Sequence, residues 1–328
     1  MRGRSLLAVS LAATVAMAGT SVKLGGAIYP RYVVSADENM FELMGAEATV
    51  QAQVTSETRD IMSVAMQIYA AGMMEGWLKG LHFGQAYAMF PLGISLPTIK
   101  VGQAVVPFGL LADYDVHTQI IQTTYAGSIG LRLDPGIGIL GALGQLEYSV
   151  WLSNGNGPDR MDNDRGKIMT ARVAPRFLLG DAEMIVGVSG LAGSLPFWSL
   201  NDIAHFAEGP QTYRMKYRLG LDNTTDWGPL TIRLEGLAGR DSTLSGTSVF
   251  GYYGEARYAI GRWLEPLVKY DGFHAEGGRV NNLSVGLNYY PPDISAFEIQ
   301  TVYQRDVLKT GSKDEDSWKF TAQLVARF

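Results

Sequence analysis

Residues 317–328 read SWKFTAQLVARF. Trp318, Phe320, Ala322, Leu324, Ala326 and Phe328 fall on one face of an extended chain, and Lys319, Thr321, Gln323, Val325 and Arg327 on the other. Alternation with period two marks a strand with one apolar and one mostly polar face. A soluble edge strand avoids a long apolar face running to a free terminus, because such an edge templates aggregation. A strand in a membrane barrel needs that pattern: lipid outside, water inside, and aromatic girdles at the two interfaces.

The same alternation recurs upstream. It predicts strands over 22–34, 47–55, 61–70, 78–90, 96–106, 126–133, 143–153 and 167–177. Further strands follow over 182–192, 212–222, 229–238, 248–259, 263–273, 280–290, 295–305 and 317–328. In these, Leu24, Ile28, Tyr32, Phe83, Tyr87, Met89, Ile129, Leu131 and Leu133 belong to the apolar, outward faces. The count is sixteen, with fourteen or eighteen as alternatives, and an even number suits a single-chain bacterial barrel. The connections alternate too. TSETRD near 55–60, PLGISLP at 91–97, DPGIGILG at 134–141, LLGD at 178–181, DNTTDWG at 222–228, AIGRW at 259–263 and YPPDIS at 290–295 are short and rich in turn formers. Between them lie mostly longer and more polar connections at 35–46, 71–77, 107–125, 154–166, 193–211, 239–247, 274–279 and 306–316. Short turns on one side and longer loops on the other are the signature of an up-and-down transmembrane barrel. The fold class expected is therefore all-β, an antiparallel up-and-down barrel of about sixteen strands.

The N-terminus, MRGRSLLAVSLAATVAMAGT, combines Arg2 and Arg4 with an apolar stretch from Leu6 to Val15 and an Ala16-Met17-Ala18 cleavage pattern. This predicts a secretory signal peptide over 1–18, too short to span a bilayer, and one barrel domain over 19–328. Without Arg2 and Arg4 the formal charge moves from −5 to −7, which argues against a nucleic-acid partner. With 47% hydrophobic residues and 39 glycines the chain reads as neither disordered nor helix-rich. There is no cysteine, which excludes disulfides, thiolate metal sites and covalent c-type haem.

The inward faces carry the chemistry. They offer fourteen cations: Lys23, Arg31, Lys100, Arg132, Arg172, Arg176, Arg214, Lys216, Arg218, Arg233, Arg257, Lys269, Lys319 and Arg327. Against them stand seven anions: Glu147, Glu183, Glu235, Glu255, Glu265, Asp271 and Glu298. A charge on the lipid face at the midplane costs about 2–4 kcal/mol, so these groups belong in water. They form either an anion-attracting wall or a ladder of cross-strand ion pairs; Arg214-x-Lys216-x-Arg218 favours the first, being unbalanced within its strand. The outer connections are acidic (Asp37, Glu38, Glu42, Glu75, Asp159, Asp162, Asp164, Asp202, Glu208 and DED at 314–316), as solvated loops or as sites of divalent-cation bridging to lipopolysaccharide. DRMDND at 159–164 lacks EF-hand spacing, and Gly136, Gly138 and Gly141 match a dinucleotide fingerprint without its helix. The histidines gather no catalytic grouping, so neither an enzyme nor a bound cofactor or metal is expected.

VGQAVVPFG at 101–109 resembles the strand-and-loop entry of the phosphate-selective porin family, and LEYSVWLSNGNG at 146–157 and KIMTARVAPRF at 167–177 fit the same register. The terminal Phe after alternating apolar residues also resembles the C-terminal signal of bacterial outer-membrane barrel proteins. The resemblance implies a sixteen-stranded, trimeric porin of the Gram-negative outer membrane, in contact with membrane lipid and lipopolysaccharide and passing small anionic or polar solutes. It further implies that Pro107–Tyr125, the third outer connection, folds into the lumen as a constriction. There Phe108, Leu110, Leu111, Ile120 and Ile121 would pack, while Asp113, Asp115, His117 and Gln119 would form a polar edge facing the basic wall; alternatively the apolar residues cover a trimer contact or the barrel rim and the acids are solvated. The alternative is a barrel serving as a sleeve or assembly partner for another protein, such as a multihaem cytochrome.

Overall fold

In a membrane every backbone N–H and C=O needs an internal partner, and a sheet can provide one only by closing on itself. The computed structural model shows this closure. It describes residues 19–56, 60–70, 81–93, 95–110, 129, 132–157, 166–197, 212–242, 247–275, 278–292, 294, 296–310 and 313–328. Sixteen strands follow one another: β1 (Thr20–Ser35), β2 (Asn39–Thr55), β3 (Asp60–Ala70), β4 (Leu81–Pro91), β5 (Thr98–Val105), β6 (Leu133–Leu143), β7 (Leu146–Ser153) and β8 (Ile168–Leu179). They continue as β9 (Ala182–Phe197), β10 (Thr212–Trp227), β11 (Leu230–Asp241), β12 (Thr247–Tyr258), β13 (Leu264–Ala275), β14 (Gly278–Tyr289), β15 (Phe297–Thr310) and β16 (Lys313–Arg327). Each pairs antiparallel with the next, and β1 pairs with β16 to complete the barrel.

The terminal alternation sorts as its chemistry requires. On β16, Thr321, Gln323 and Val325 are buried inside, whereas Trp318, Phe320 and Phe328 are exposed outside. Outward leucines and valines such as Val188, Leu219, Leu221 and Val285 form the rest of an apolar outer band. Trp227, Tyr258, Trp263 and Phe328 ring the end with the short turns, the interfacial position that suits amphipathic rings. The seam is closed at its edge by Phe328, which exchanges both backbone hydrogen bonds with Gly26, at 2.9 and 3.0 Å.

Several expected boundaries move, mostly because the wall is taller than its apolar band. About 9–11 residues cross the hydrocarbon, yet β2 has 17 residues and β10 and β9 have 16 each. Beyond the membrane the backbones continue to pair without needing apolar faces. On this account 306–316 pairs as far as Thr310 with Lys313, whereas residues 39–46, expected in a loop, belong to β2 across a register shift against β1. The DNTTDW of the expected turn at 222–228 is likewise the end of β10.

The sixth strand, expected over 126–133, instead runs Leu133–Leu143. The DPGIGILG expected as a turn is most of that strand, and the turn falls at Gly144–Gln145. Its glycines provide clearance rather than a bend: a side chain at Gly138 would meet the Trp151 ring of β7. A register shift between β3 and β4 also turns the face of β4, leaving Phe83 and Phe90 exposed outside while Tyr87 shares the inner face with Lys100. The signal-peptide segment 1–18, the connections at 71–80 and 198–211, and DRMDND lie outside the described residues.

Candidate functional site

The lumen is shaped by the chain that leaves β5. Val106 still donates to the Arg132 carbonyl at 2.9 Å, and the next residues turn off the wall. Phe108 and Leu110, with Ile129 from the far end of the same connection, are buried among Ile168, Leu191, Leu195, Leu237 and Tyr253. Those partners occupy inward positions on β8, β9, β11 and β12, on the other side of the lumen. Following the wall from β5 to β11 would take six strand spacings, roughly 29 Å. Val106–Leu110 can span at most roughly 18 Å, so the chain crosses as a chord. Burying the Phe108 and Leu110 side chains contributes about 1.5–3 kcal/mol each, which explains why so apolar a connection leaves the solvent. Ile129, expected on the outward face of a strand, is an inner residue for the same reason. Leu110 N–H donates to Glu235 Oε2 at 2.8 Å and Gly109 N–H to Ser189 Oγ at 2.9 Å. The described ends of this connection, Phe108–Leu110 and Ile129, are therefore packed against the β8–β12 side of the lumen. Asp113, Asp115, His117, Gln119, Leu111, Ile120 and Ile121 lie outside the described residues.

The basic residues predicted on the inner wall are largely met by carboxylates. Arg172 on β8 holds Asp222 on β10 at 2.5 Å. Arg176 bridges Glu147 at 2.8 Å and Glu183 at 2.7 Å, and Arg257 contacts Glu255 at 2.5 Å and Glu265 at 3.6 Å. Arg218 and Lys216 are 4% and 2% exposed, beneath the crossing chain: Arg218 pairs with Asp241 at 2.5 Å, and Lys216 Nζ lies 3.5 Å from the Ile129 carbonyl. Lys269 and Asp271, 3.5 Å apart, are fully buried. The Arg214 side chain lies outside the described residues. Burying a charge without its partner costs several kcal/mol, and pairing offsets most of that without leaving a strong external field. Glu47, Asp222, Asp241 and Asp306 are inward acids absent from the expected set, and they remove most of its excess of cations. Asp222 and Asp241 were hidden by the expected turn and loop that contained them; continued alternation through 219–227 is the signal that reveals the first.

Five predicted cations, Lys23, Lys100, Arg132, Arg233 and Lys319, have no carboxylate within 4 Å among the described residues. Lys100 places its ammonium 3.8 Å from the centre of the Tyr87 ring, a cation–π contact that leaves its charge unneutralised. Arg132 stands where the inward connection rejoins the wall, and Arg233 bonds the Tyr253 hydroxyl. Elsewhere the wall is amide-rich. Gln323 accepts from Arg31 and donates to Gln300 at 3.3 Å, Gln300 donates to Glu298 at 2.6 Å, and Arg327 closes the series on Glu298 at 3.0 Å. This hydrogen-bonded line crosses the seam strands β1, β16 and β15 on the lumen side.

A sixteen-stranded closed barrel with short turns at one end and an inward third outer connection is a specific architecture. The fold is that of the outer-membrane porins. OmpT of Vibrio cholerae, in its trimer form, matches with a TM-score of 0.69 at 10% identity over 94% of this chain and all of the other. The outer-membrane channel DcaP of Acinetobacter baumannii matches at 0.67 and 12% identity, over 95% of this chain and 99% of that one. An anion-selective porin from Comamonas acidovorans matches at 0.62 and 11% identity, over 94% of this chain and all of its own length. No family model matches the sequence, and neither does any curated protein. The resemblance to the phosphate-selective family therefore rests on the three quoted segments alone. In fold, this chain is similar to the barrels of the Gram-negative outer membrane.

Proposed function

We propose that the protein is a passive diffusion channel of the outer membrane, assembled as a homotrimer in contact with lipid and lipopolysaccharide, that passes small polar solutes and prefers anions. The observation that carries the reading is the chord of Val106–Leu110, which narrows a charged lumen from its β8–β12 side. A channel that discriminates by size and charge needs such a narrowing. Lys100, Arg132 and Arg233 support the anion preference because their charge is not cancelled by a carboxylate; the paired Arg172, Arg176 and Arg257 contribute dipoles and rigidity. No chemical step and no cofactor are involved. A sleeve around a protein partner is not favoured, since the crossing chain occupies the lumen that a partner would need.

Planar-bilayer recordings test the reading. A salt gradient should give a reversal potential of anion-selective sign that weakens as ionic strength rises and the Debye length falls below about 8 Å. Lys100→Gln with Arg233→Gln should reduce it further. A cation-selective wild type, or a reconstituted barrel with no conductance, would reject the proposal.

A further inference from the structure

Glu235 occupies an inward position on β11 and is 5% exposed. Its Oε2 accepts the Leu110 N–H, while Ser189 Oγ on β9 accepts the N–H of the preceding Gly109. Two successive amides that have left the sheet are thus taken up by side chains of two different strands. Gly109 has φ +53°, a left-handed conformation that turns both amides toward the wall. A Cβ on Gly109 would land on the Glu235 carboxylate, so glycine and acid fit only as a pair. Phe108 adds a third point: its ring fills the space over Gly220 of β10, where an added Cβ would approach it to 2.9 Å. A carboxylate suits this place better than a neutral acceptor because hydrogen bonds from amides to an ionised oxygen are shorter and stronger.

We propose that Glu235 is the positioning residue of the constriction: by holding Gly109–Leu110 against β11 it fixes how far the inward connection crosses the lumen, and so the cross-section open to solute. This rests on the channel reading above. The carboxylate acts on the passage through the backbone it anchors and needs no contact with solute.

The test uses the full chain reconstituted in planar bilayers and in liposomes loaded for swelling with sugars of graded size, with assembly checked by heat-modifiable mobility. Glu235→Ala should raise single-channel conductance by about twofold, since the cross-section widens where flow is limited, and should admit larger sugars. Glu235→Gln keeps an oxygen in the same place and should stay near wild type. Gly109→Ala should widen the channel as Glu235→Ala does, yet the double variant should be no worse than Glu235→Ala alone, because the added methyl then meets no carboxylate. If Glu235→Ala does not assemble, Ser189→Ala removes the neighbouring acceptor and should shift conductance the same way by less. Variants that assemble less well but conduct as wild type would show a merely structural role and overturn the proposal. A wild type without conductance would instead reject the channel reading.

Discussion

Replacing Asp241 by Asn separates a structural ion pair from a pore charge. The Asp241 carboxylate lies 2.5 Å from Arg218, with their side chains 4% and 1% exposed. Removing one member of such a pair leaves a buried charge and costs about 3–5 kcal/mol. Arg218 also donates to the carbonyls of Tyr217 at 3.0 Å and Arg240 at 3.2 Å, so part of its hydrogen bonding survives. The lower end, about 3 kcal/mol or roughly a hundredfold in the unfolding equilibrium, is therefore expected. Reversible urea unfolding in lipid vesicles measures it. Arg218→Met combined with Asp241→Leu should recover most of the loss, because apolar side chains of similar volume replace a buried pair at little cost. Reversal potentials of all three proteins should match, since neither group faces the aqueous route. A single variant of unchanged stability and altered selectivity would refute the assignment and return Arg218 to the pore wall.

Gly26→Leu should slow assembly of the barrel, read as loss of the heat-modifiable band, because a side chain there would strike the Phe328 ring at the seam. An unaffected band would mean that the closing contact of the terminal residue is dispensable. Cysteines at Asp159 and Asp314 should be labelled on intact cells and one at Asp293 should not; labelling at all three would invert the account of which barrel end faces outward.

The sequence by itself determined the closed antiparallel barrel and pointed to sixteen strands, with fourteen or eighteen left for the structure to exclude, because a wall between lipid and water imposes period-two alternation wherever it is crossed. It also exposed Phe108 and Leu110 as too apolar for an outer loop. Strand ends were less legible: 222–227 is mostly polar, with no apolar face to read, and a register shift against β1 breaks the alternation within 39–46. Composition misled at 134–141, where glycines that clear Trp151 look like turn formers. Only the tertiary structure decided the electrostatics of the lumen. Alternation tells which side chains point inward, but whether Arg172 attracts a solute or holds Asp222, 50 residues away in sequence, depends on the register of β8, β9 and β10 together. The same holds for Glu235, whose partner Leu110 is 125 positions distant and reaches it only because the chain crosses the lumen rather than following its wall.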